Sequence, residues 1–311
     1  MTSVVIQLKR DIISVLDMKD DFKKILDKAL KTKTETPKGR RPEPLKRKVL
    51  AMVFEKPSLR TRISFEVGMT QLGGTAICIG PDEVQIGKRE TVADVAKVLS
   101  RYTDGIMYRA FSNEVMRELA KNATVPVING LDDLEHPCQC AADLLTILEK
   151  KKKLKGLQLT YVGDGNNVCN SLLLGCAITG MNMRAATPKS HVPDADLLAK
   201  AQKIAEETGC TVEVMSNPFE AAEGADVLYT DTWISMGQEA EKEERENLFL
   251  PFQVNPKLAE KANKGWLFMH CLPAHRGYEV SEEIIDGPMS VVFDQAENRL
   301  HAQKAILATV L

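Results

Sequence analysis

Val49-Leu50-Ala51-Met52-Val53-Phe54 runs without a polar residue into Glu55-Lys56-Pro57-Ser58-Leu59-Arg60-Thr61-Arg62. An unbroken apolar hexamer is what a strand covered on both faces requires, and parallel sheets are covered that way. The next stretch reads as a helix from Leu59 to about Leu72, closed by Gly73-Gly74. A buried strand that passes straight into a helix is half of a βαβ unit, and repetition of it builds a parallel sheet.

Outward from this unit the alternation repeats. Upstream, Asp17 to Leu30 has helical spacing. Thr32 to Lys48 reads as a polar connector with Pro37, Pro42 and Pro44, whose basic residues suit a solvated loop. Downstream, strand signals at Ala76–Ile79, Ile106–Tyr108 and Val125–Ile128 alternate with helices over Thr91–Tyr102 and Cys138–Lys150. The pattern breaks near Lys150 to Gly156 and restarts with a strand at Leu157–Val162 and a helix at Val168–Thr179. Strands at Met183–Ala186, Thr211–Met215, Asp226–Thr230 and Trp266–His270 follow, with a helix at Ala195–Glu207 and a last one from Gln295 to Thr309. The predicted fold class is α/β, with two doubly wound parallel-sheet domains and a cleft between them. The predicted units are residues 1–150, 151–290 and a terminal helix in 291–311.

Composition narrows the function. The chain has 311 residues, and 41 Lys+Arg against 43 Asp+Glu leave a net charge of −2. A protein that coats nucleic acid needs a basic excess, so nucleic acid is not an expected partner. With 44% hydrophobic and 27% charged residues the chain is neither disordered nor collagen-like. No apolar run approaches the roughly 20 residues that span a bilayer. Lys9, Arg10 and Asp11 interrupt the apolar start, which does not resemble a signal peptide, so the expected compartment is the cytoplasm. The seven cysteines are odd in number and form no C-x-x-C, which argues against a disulfide framework or a zinc knuckle. The five histidines are scattered, so neither a metal nor a cofactor is expected.

Ligands of such sheets bind beyond the carboxyl ends of the strands, and polar clusters fall there six times. Ser58 to Arg62 places hydroxyls and arginines at a helix N-terminus, where free N–H groups and the dipole favour a dianion; Ser58 alone would be an ordinary cap. Arg109 ends the third strand signal and could fork onto phosphate or pair with a carboxylate. His136 precedes Pro137, a residue suited to a first helical turn, and so projects from the loop before that helix. Gly163-Asp164-Gly165-Asn166-Asn167 begins like a dinucleotide fingerprint, yet Val168 stands where the third glycine belongs. Asp231 opens Asp231-Thr232-Trp233-Ile234-Ser235-Met236-Gly237 and could receive a cation. Cys271, in His270-Cys271-Leu272-Pro273, is a candidate chemical thiol, and Leu272-Pro273 a candidate cis bond.

Together, Ser58-Leu59-Arg60-Thr61-Arg62, His136-Pro137-Cys138-Gln139, the Asp231 to Gly237 segment and His270-Cys271-Leu272-Pro273 resemble the ornithine carbamoyltransferase family over nearly the whole chain. The Ser-Met-Gly segment is the part that points to ornithine. The resemblance implies that Ser58, Leu59, Arg60, Thr61, Arg109, His136, Gln139, Cys271, Leu272 and Arg299 bind carbamoyl phosphate, and that Gln85 reaches a neighbouring subunit's site. It implies that Asn167, Asp231, Ser235 and Met236 bind L-ornithine, with Arg109, His136, Asp231 and Cys271 catalytic. It further implies a homotrimer or a multiple of trimers and a C-terminal helix that packs back on the first domain. The family's first motif often reads Ser-Thr-Arg-Thr; Leu59 loses one hydroxyl here but keeps the backbone N–H. The charged Glu239 to Glu246 segment is expected to be a mobile loop over the amino-acid site. Competing readings are a carbamoyltransferase for putrescine or an acylated ornithine, an NAD-dependent oxidoreductase built on Gly163-x-Gly165, and a homologue that binds ligand without catalysis.

Overall fold

The computed structural model describes residues 9–35, 42–234 and 242–311. A 3-10 turn over Val15–Asp21, capped by Ser14, leads into α1 (Phe22–Glu35). The first sheet and its helices then follow as β1 (Val49–Phe54), α2 (Leu59–Gln71), β2 (Thr75–Ile79), α3 (Pro81–Val84), α4 (Val92–Tyr102), β3 (Gly105–Arg109), α5 (Asn113–Asn122), β4 (Val127–Leu131) and α6 (Pro137–Lys151). The second unit comprises β5 (Gln158–Val162), α7 (Asn167–Thr179), β6 (Asn182–Ala186), α8 (Ala195–Thr208), β7 (Val212–Met215), α9 (Pro218–Ala221) and β8 (Val227–Thr230). It continues through α10 (Lys242–Phe249), α11 (Pro256–Ala259), β9 (Leu267–His270) and α12 (Glu282–Ile285), and the chain closes with α13 (Val292–Val310).

Both sheets are parallel, with strand orders β2-β1-β3-β4 and β7-β6-β5-β8-β9. In the first, the connections diverge to opposite sides between β1 and β3; in the second, between β5 and β8. These are the crevices where open α/β sheets hold ligands. The central strands β1, β3, β5 and β8 are buried almost throughout, which is why their sequences carry so little alternation.

The expected strands all appear, with ends shifted by no more than three residues. The largest shift is in β4, which starts at Val127 rather than Val125, beyond Pro126. The sequence reading places no element between β3 and β4, where the structure has α5. Its apolar face (Met116, Leu119, Ala120) is buried against one side of the first sheet. The segment expected to be a mobile loop is corrected in part: its described portion belongs to α10, while residues 239–241 lie outside the described residues.

One apolar core spans both units. Residues of α1, α2, α6, α7, α8 and α13 join one face of each sheet in a continuous cluster that includes Phe65, Leu145, Leu172 and Ile306. Smaller clusters cover the outer face of each sheet. The last helix packs on α1, α2 and α6 of the first unit and touches β9 of the second. Side chains on α13 therefore reach the space between the sheets.

Candidate active site

The first wall of the cleft is built where β1 and β3 end. Ser58 is in extended conformation and caps α2, its Oγ accepting from the Thr61 N–H at 3.3 Å. The bland reading of Ser58 as a cap therefore holds, and it leaves the Leu59 and Arg60 N–H groups at the helix start. Arg109 ends β3 in register with Phe54 of β1, which puts its guanidinium beside that same turn; it is 6% exposed. His136 caps α6 through its backbone, its N–H held by Ser171 Oγ at 2.7 Å, and its ring is buried with Nδ1 unpartnered. Arg299 arrives from α13 and donates to Gln139 Oε1 at 2.7 Å and Thr61 Oγ1 at 3.2 Å.

These groups form a concentrated positive field. Burial, then Arg299 and Arg60, lower the Arg109 guanidinium to about 10. Burial and the cations Arg299, Arg109, Lys56 and Arg60 hold the His136 imidazole well below the usual histidine range. It is neutral at physiological pH, a hydrogen-bonding group and not a fifth cation. Burial likewise lowers Lys56 and Arg299. Bringing a dianion among these groups would relieve their mutual repulsion.

The second wall stands where β5, β8 and β9 end. Thr230 and His270 are register partners, so Asp231 and Cys271 leave adjacent strands side by side. Cys271 Sγ donates to Asp231 Oδ1 at 2.9 Å; the Thr232 N–H reaches the same oxygen at 2.8 Å, and Asn166 Nδ2 holds Oδ2 at 2.8 Å. Burial, reinforced by the Asp231 carboxylate, pushes the Cys271 thiol well above the ordinary range. It is a protonated donor, not a thiolate. Leu272-Pro273 is cis, and the Leu272 carbonyl accepts from Arg60 Nη2 at 2.6 Å, linking the two walls. The Leu272 N–H donates to His270 Nδ1 at 2.9 Å, and His270 Nε2 stands 3.3 Å from Glu279, a buried carboxylate.

Between the walls lies a cavity of about 740 Å³. Ser58, Leu59, Arg60, Thr61, Arg109 and His136 line one side together with Gln139 and Arg299; Asn167, Asp231, Cys271 and Leu272 line the other. The arginine end is positive, and the far end carries Asp231, Glu246 and Glu279. A molecule that is anionic at one end and accepts attack from an amine held at the other would match this polarity.

Some sequence expectations fall elsewhere. Gln85 lies in the exposed turn after α3, at φ +48°, and does not line its own chain's cavity. Ser235 and Met236 lie outside the described residues. The cap of α7 is Asn166; Asn167 follows it and donates to the Asp132 carbonyl at 2.5 Å. Gly163-x-Gly165 has a packing reason: Gly163 adopts φ +141°, and a Cβ on Gly165 would run into the backbone of Val192 and Pro193. Asn166, Trp233, His275 and Glu279 were not foreseen. The scattered histidines also hide one convergence, since ligand atoms of Asp231, His270 and Cys271 lie within 4.8 Å of one another.

The sequence also matches known proteins over its length. Residues 10–149 match the carbamoyl-P binding domain of aspartate/ornithine carbamoyltransferases, and residues 155–310 match the Asp/Orn binding domain. The ornithine carbamoyltransferase of Picrophilus torridus is 52% identical, the match covering 98% of this chain and 100% of that one. A catabolic ornithine carbamoyltransferase of Thermoplasma volcanium is 48% identical over 97% of this chain and 99% of its own. The solved structure of ornithine carbamoyltransferase from Pyrococcus furiosus superposes with a TM-score of 0.95 at 50% identity, covering 97% of each chain.

Proposed function

The chain belongs to the aspartate/ornithine carbamoyltransferase family, and from that premise we infer that it transfers the carbamoyl group of carbamoyl phosphate to the side-chain amine of L-ornithine, giving L-citrulline and phosphate. The observation that carries this reading is the pairing of Cys271 with Asp231 opposite the arginines of the first wall, across one cavity.

The phosphate of the donor sits at the Leu59 and Arg60 N–H groups and among the Arg60, Arg109 and Arg299 guanidiniums. Gln139 orients Arg299 for that task. The carbonyl oxygen faces Arg109, His136 and Thr61. A neutral His136 donates a hydrogen bond there, and the guanidinium stabilises the charge that develops on attack. Asp231 receives the amine. A carboxylate offers about four acceptor sites, and three are filled by Cys271, Thr232 and Asn166; one remains. The amine must lose a proton before it attacks, since an alkylammonium titrates near 10.4. The neutral Cys271 thiol orients Asp231 and the incoming nitrogen and does not act as a free thiolate base.

The step balances. The amine nitrogen forms a bond to the carbonyl carbon, the bond from that carbon to the phosphate oxygen breaks, and the amine proton leaves through Asp231 to solvent or to the departing phosphate. Holding both substrates in one cleft supplies the effective concentration that a bimolecular reaction lacks. Ser235, Met236 and Asn167 complete the ornithine site in this reading.

The assembly is a homotrimer or a multiple of trimers, and Gln85 serves the site of the next subunit. The exposure of Gln85 away from its own cleft supports this. Mixing a Gln85→Ala chain with a Cys271→Ala chain would then regenerate a fraction of intact sites; no recovered activity in such mixtures overturns the sharing. The compartment is the cytoplasm, supported by seven cysteines that are all free thiols. Recovery of the native enzyme outside the cytoplasmic fraction would refute it.

The deciding experiment supplies carbamoyl phosphate with ornithine, putrescine, N-acetylornithine or aspartate and measures carbamoylated product and phosphate. Equal release of citrulline and phosphate with ornithine, at a kcat/KM well above the other acceptors, is expected. Preference for another acceptor would refute the ornithine assignment.

A further inference from the structure

Asp143 lies on α6 in the run Ala141-Ala142-Asp143-Leu144-Leu145, buried without measurable exposure. It does not line the cavity, and the chemistry above makes no use of it. Yet three donors converge on it. Gln139 Nε2 and Gln295 Nε2 reach Oδ1 at 2.8 and 2.7 Å, and the Tyr229 hydroxyl reaches Oδ2 at 3.1 Å.

The far end of each partner leads to the site. Gln139 Oε1 accepts from Arg299 Nη1 at 2.7 Å. Gln295 Oε1 accepts from the His270 N–H at 2.9 Å, and His270 immediately precedes Cys271. Tyr229 stands on β8 two residues before Asp231 and also receives Gln295 Nε2 on its hydroxyl at 3.0 Å. Both glutamines therefore present their amide nitrogen to Asp143 and their carbonyl to a site group.

A glutamine amide has a donor end and an acceptor end, and nothing in its shape fixes which way it points. Burial raises the Asp143 carboxyl to about 7, against the pull of its three donors; above that pH it is ionised and only accepts, so it meets both amides at their nitrogen end. Turned the other way, Gln139 would aim its NH₂ at the Arg299 guanidinium and Gln295 would aim its NH₂ at the His270 N–H, donor against donor. Stability alone does not call for such a network, because buried polar groups replaced together by well-packed apolar side chains commonly cost nothing, whereas a leucine at Asp143 alone leaves three donors short of their acceptor. Arg299 and the His270 N–H oppose that flip from the far side; what a leucine cannot do is anchor the two amide nitrogens and so hold both amides in place. Resting on the carbamoyl-transfer reading, we propose that Asp143 is a positioning residue: through Gln139 it orients Arg299 at the phosphate, and through Gln295 and Tyr229 it sets the strand ends that carry Cys271 and Asp231.

The test uses Asp143→Leu and Gln295→Met in the full-length enzyme at pH 8. It measures melting temperature, the Kd of inorganic phosphate by calorimetry, and kcat and KM for citrulline formation. Folded Asp143→Leu is expected to bind phosphate at least tenfold more weakly and to lose at least tenfold in kcat. Gln295→Met cuts only the branch toward Cys271, so a loss in kcat of at least fivefold is expected with phosphate Kd held within twofold. A purely structural Asp143 would lower the melting temperature and leave these constants within twofold of wild type, which overturns the proposal. Should Asp143→Leu not fold, Gln295→Met decides: a change in melting temperature alone overturns the proposal, and the kcat loss without a phosphate effect supports it. If the wild type makes no citrulline, the carbamoyl-transfer reading fails by itself, and the phosphate affinity of Asp143→Leu still judges the positioning role.

Discussion

The thiol of Cys271 donates a hydrogen bond to Asp231 Oδ1 across 2.9 Å, from one strand end to the next. A hydrogen bond to a charged group contributes about 1.5–3 kcal/mol, which is roughly a 10- to 100-fold effect on rate if it is needed in the transition state. Cys271→Ala is expected to lower kcat by about that factor and to leave phosphate affinity nearly intact. Alkylation of the wild-type thiol should accelerate only above the ordinary cysteine range. A rate that has already levelled off at neutral pH would show a thiolate and revive the base role.

Arg60 binds the donor in this account and also holds the Leu272 carbonyl at 2.6 Å. Arg60→Ala removes a guanidinium from the phosphate and a strut between the walls. Phosphate affinity measured by calorimetry is expected to fall about 100-fold, the effect of one or two charge-assisted bonds. A Kd within threefold of wild type would remove Arg60 from the cradle.

His136 titrates below its ordinary value because burial and four nearby cations oppose its charge. In the unfolded chain the same imidazole takes up a proton near 6.5. Below that pH the unfolded state binds a proton that the folded state refuses, so this residue lowers stability as the pH is lowered from about 6.5, by at most about 1.4 kcal/mol per unit for one proton. Chemical-shift titration should find the ring neutral at pH 6, and His136→Asn should flatten that part of the stability profile. A ring that titrates at or above 6.5 in the ligand-free protein contradicts the assignment of a neutral donor.

Arg245 of α10 pairs with Asp164 and donates from Nε to the Trp233 carbonyl at 2.7 Å, in a buried position. Breaking a buried pair from one side leaves a charge without compensation and costs about 3–5 kcal/mol. Asp164→Ala should lower the melting temperature by several degrees and weaken ornithine binding, because Asp231 and Trp233 lie on the same loop. An unchanged melt would mean the pair carries no structural weight.

Legibility in the sequence followed burial. The central strands could be read because both faces are covered and their residues are nearly all apolar. Helix α5 escaped because its stripe is narrow: Met116, Leu119 and Ala120 are its buried residues. The anion wall was legible because strand, turn and helix are consecutive there. That Asn166 and not Asn167 caps α7 is settled by backbone geometry alone, since two neighbouring asparagines compete for one cap, and Asn167 is left on the cavity wall. Glu279 and His275 come close through a loop after β9, and no local pattern announces that. Asp143 left a usable signal, a single carboxylate inside a helix otherwise buried and apolar over that turn, whose partners 86 and 152 residues away no spacing could reveal.

Helix α13 reaches the first unit only after the chain has traversed the whole of the second. While the polypeptide is being made, at roughly 5–20 residues per second, the faces of α2 and α6 that α13 will cover stand open to water. The first unit must therefore wait, sticky and lacking Arg299, for its own closing piece. This is the interval in which a chaperone would most readily engage the nascent chain, and in which a crowded ribosome would most readily lose it to aggregation.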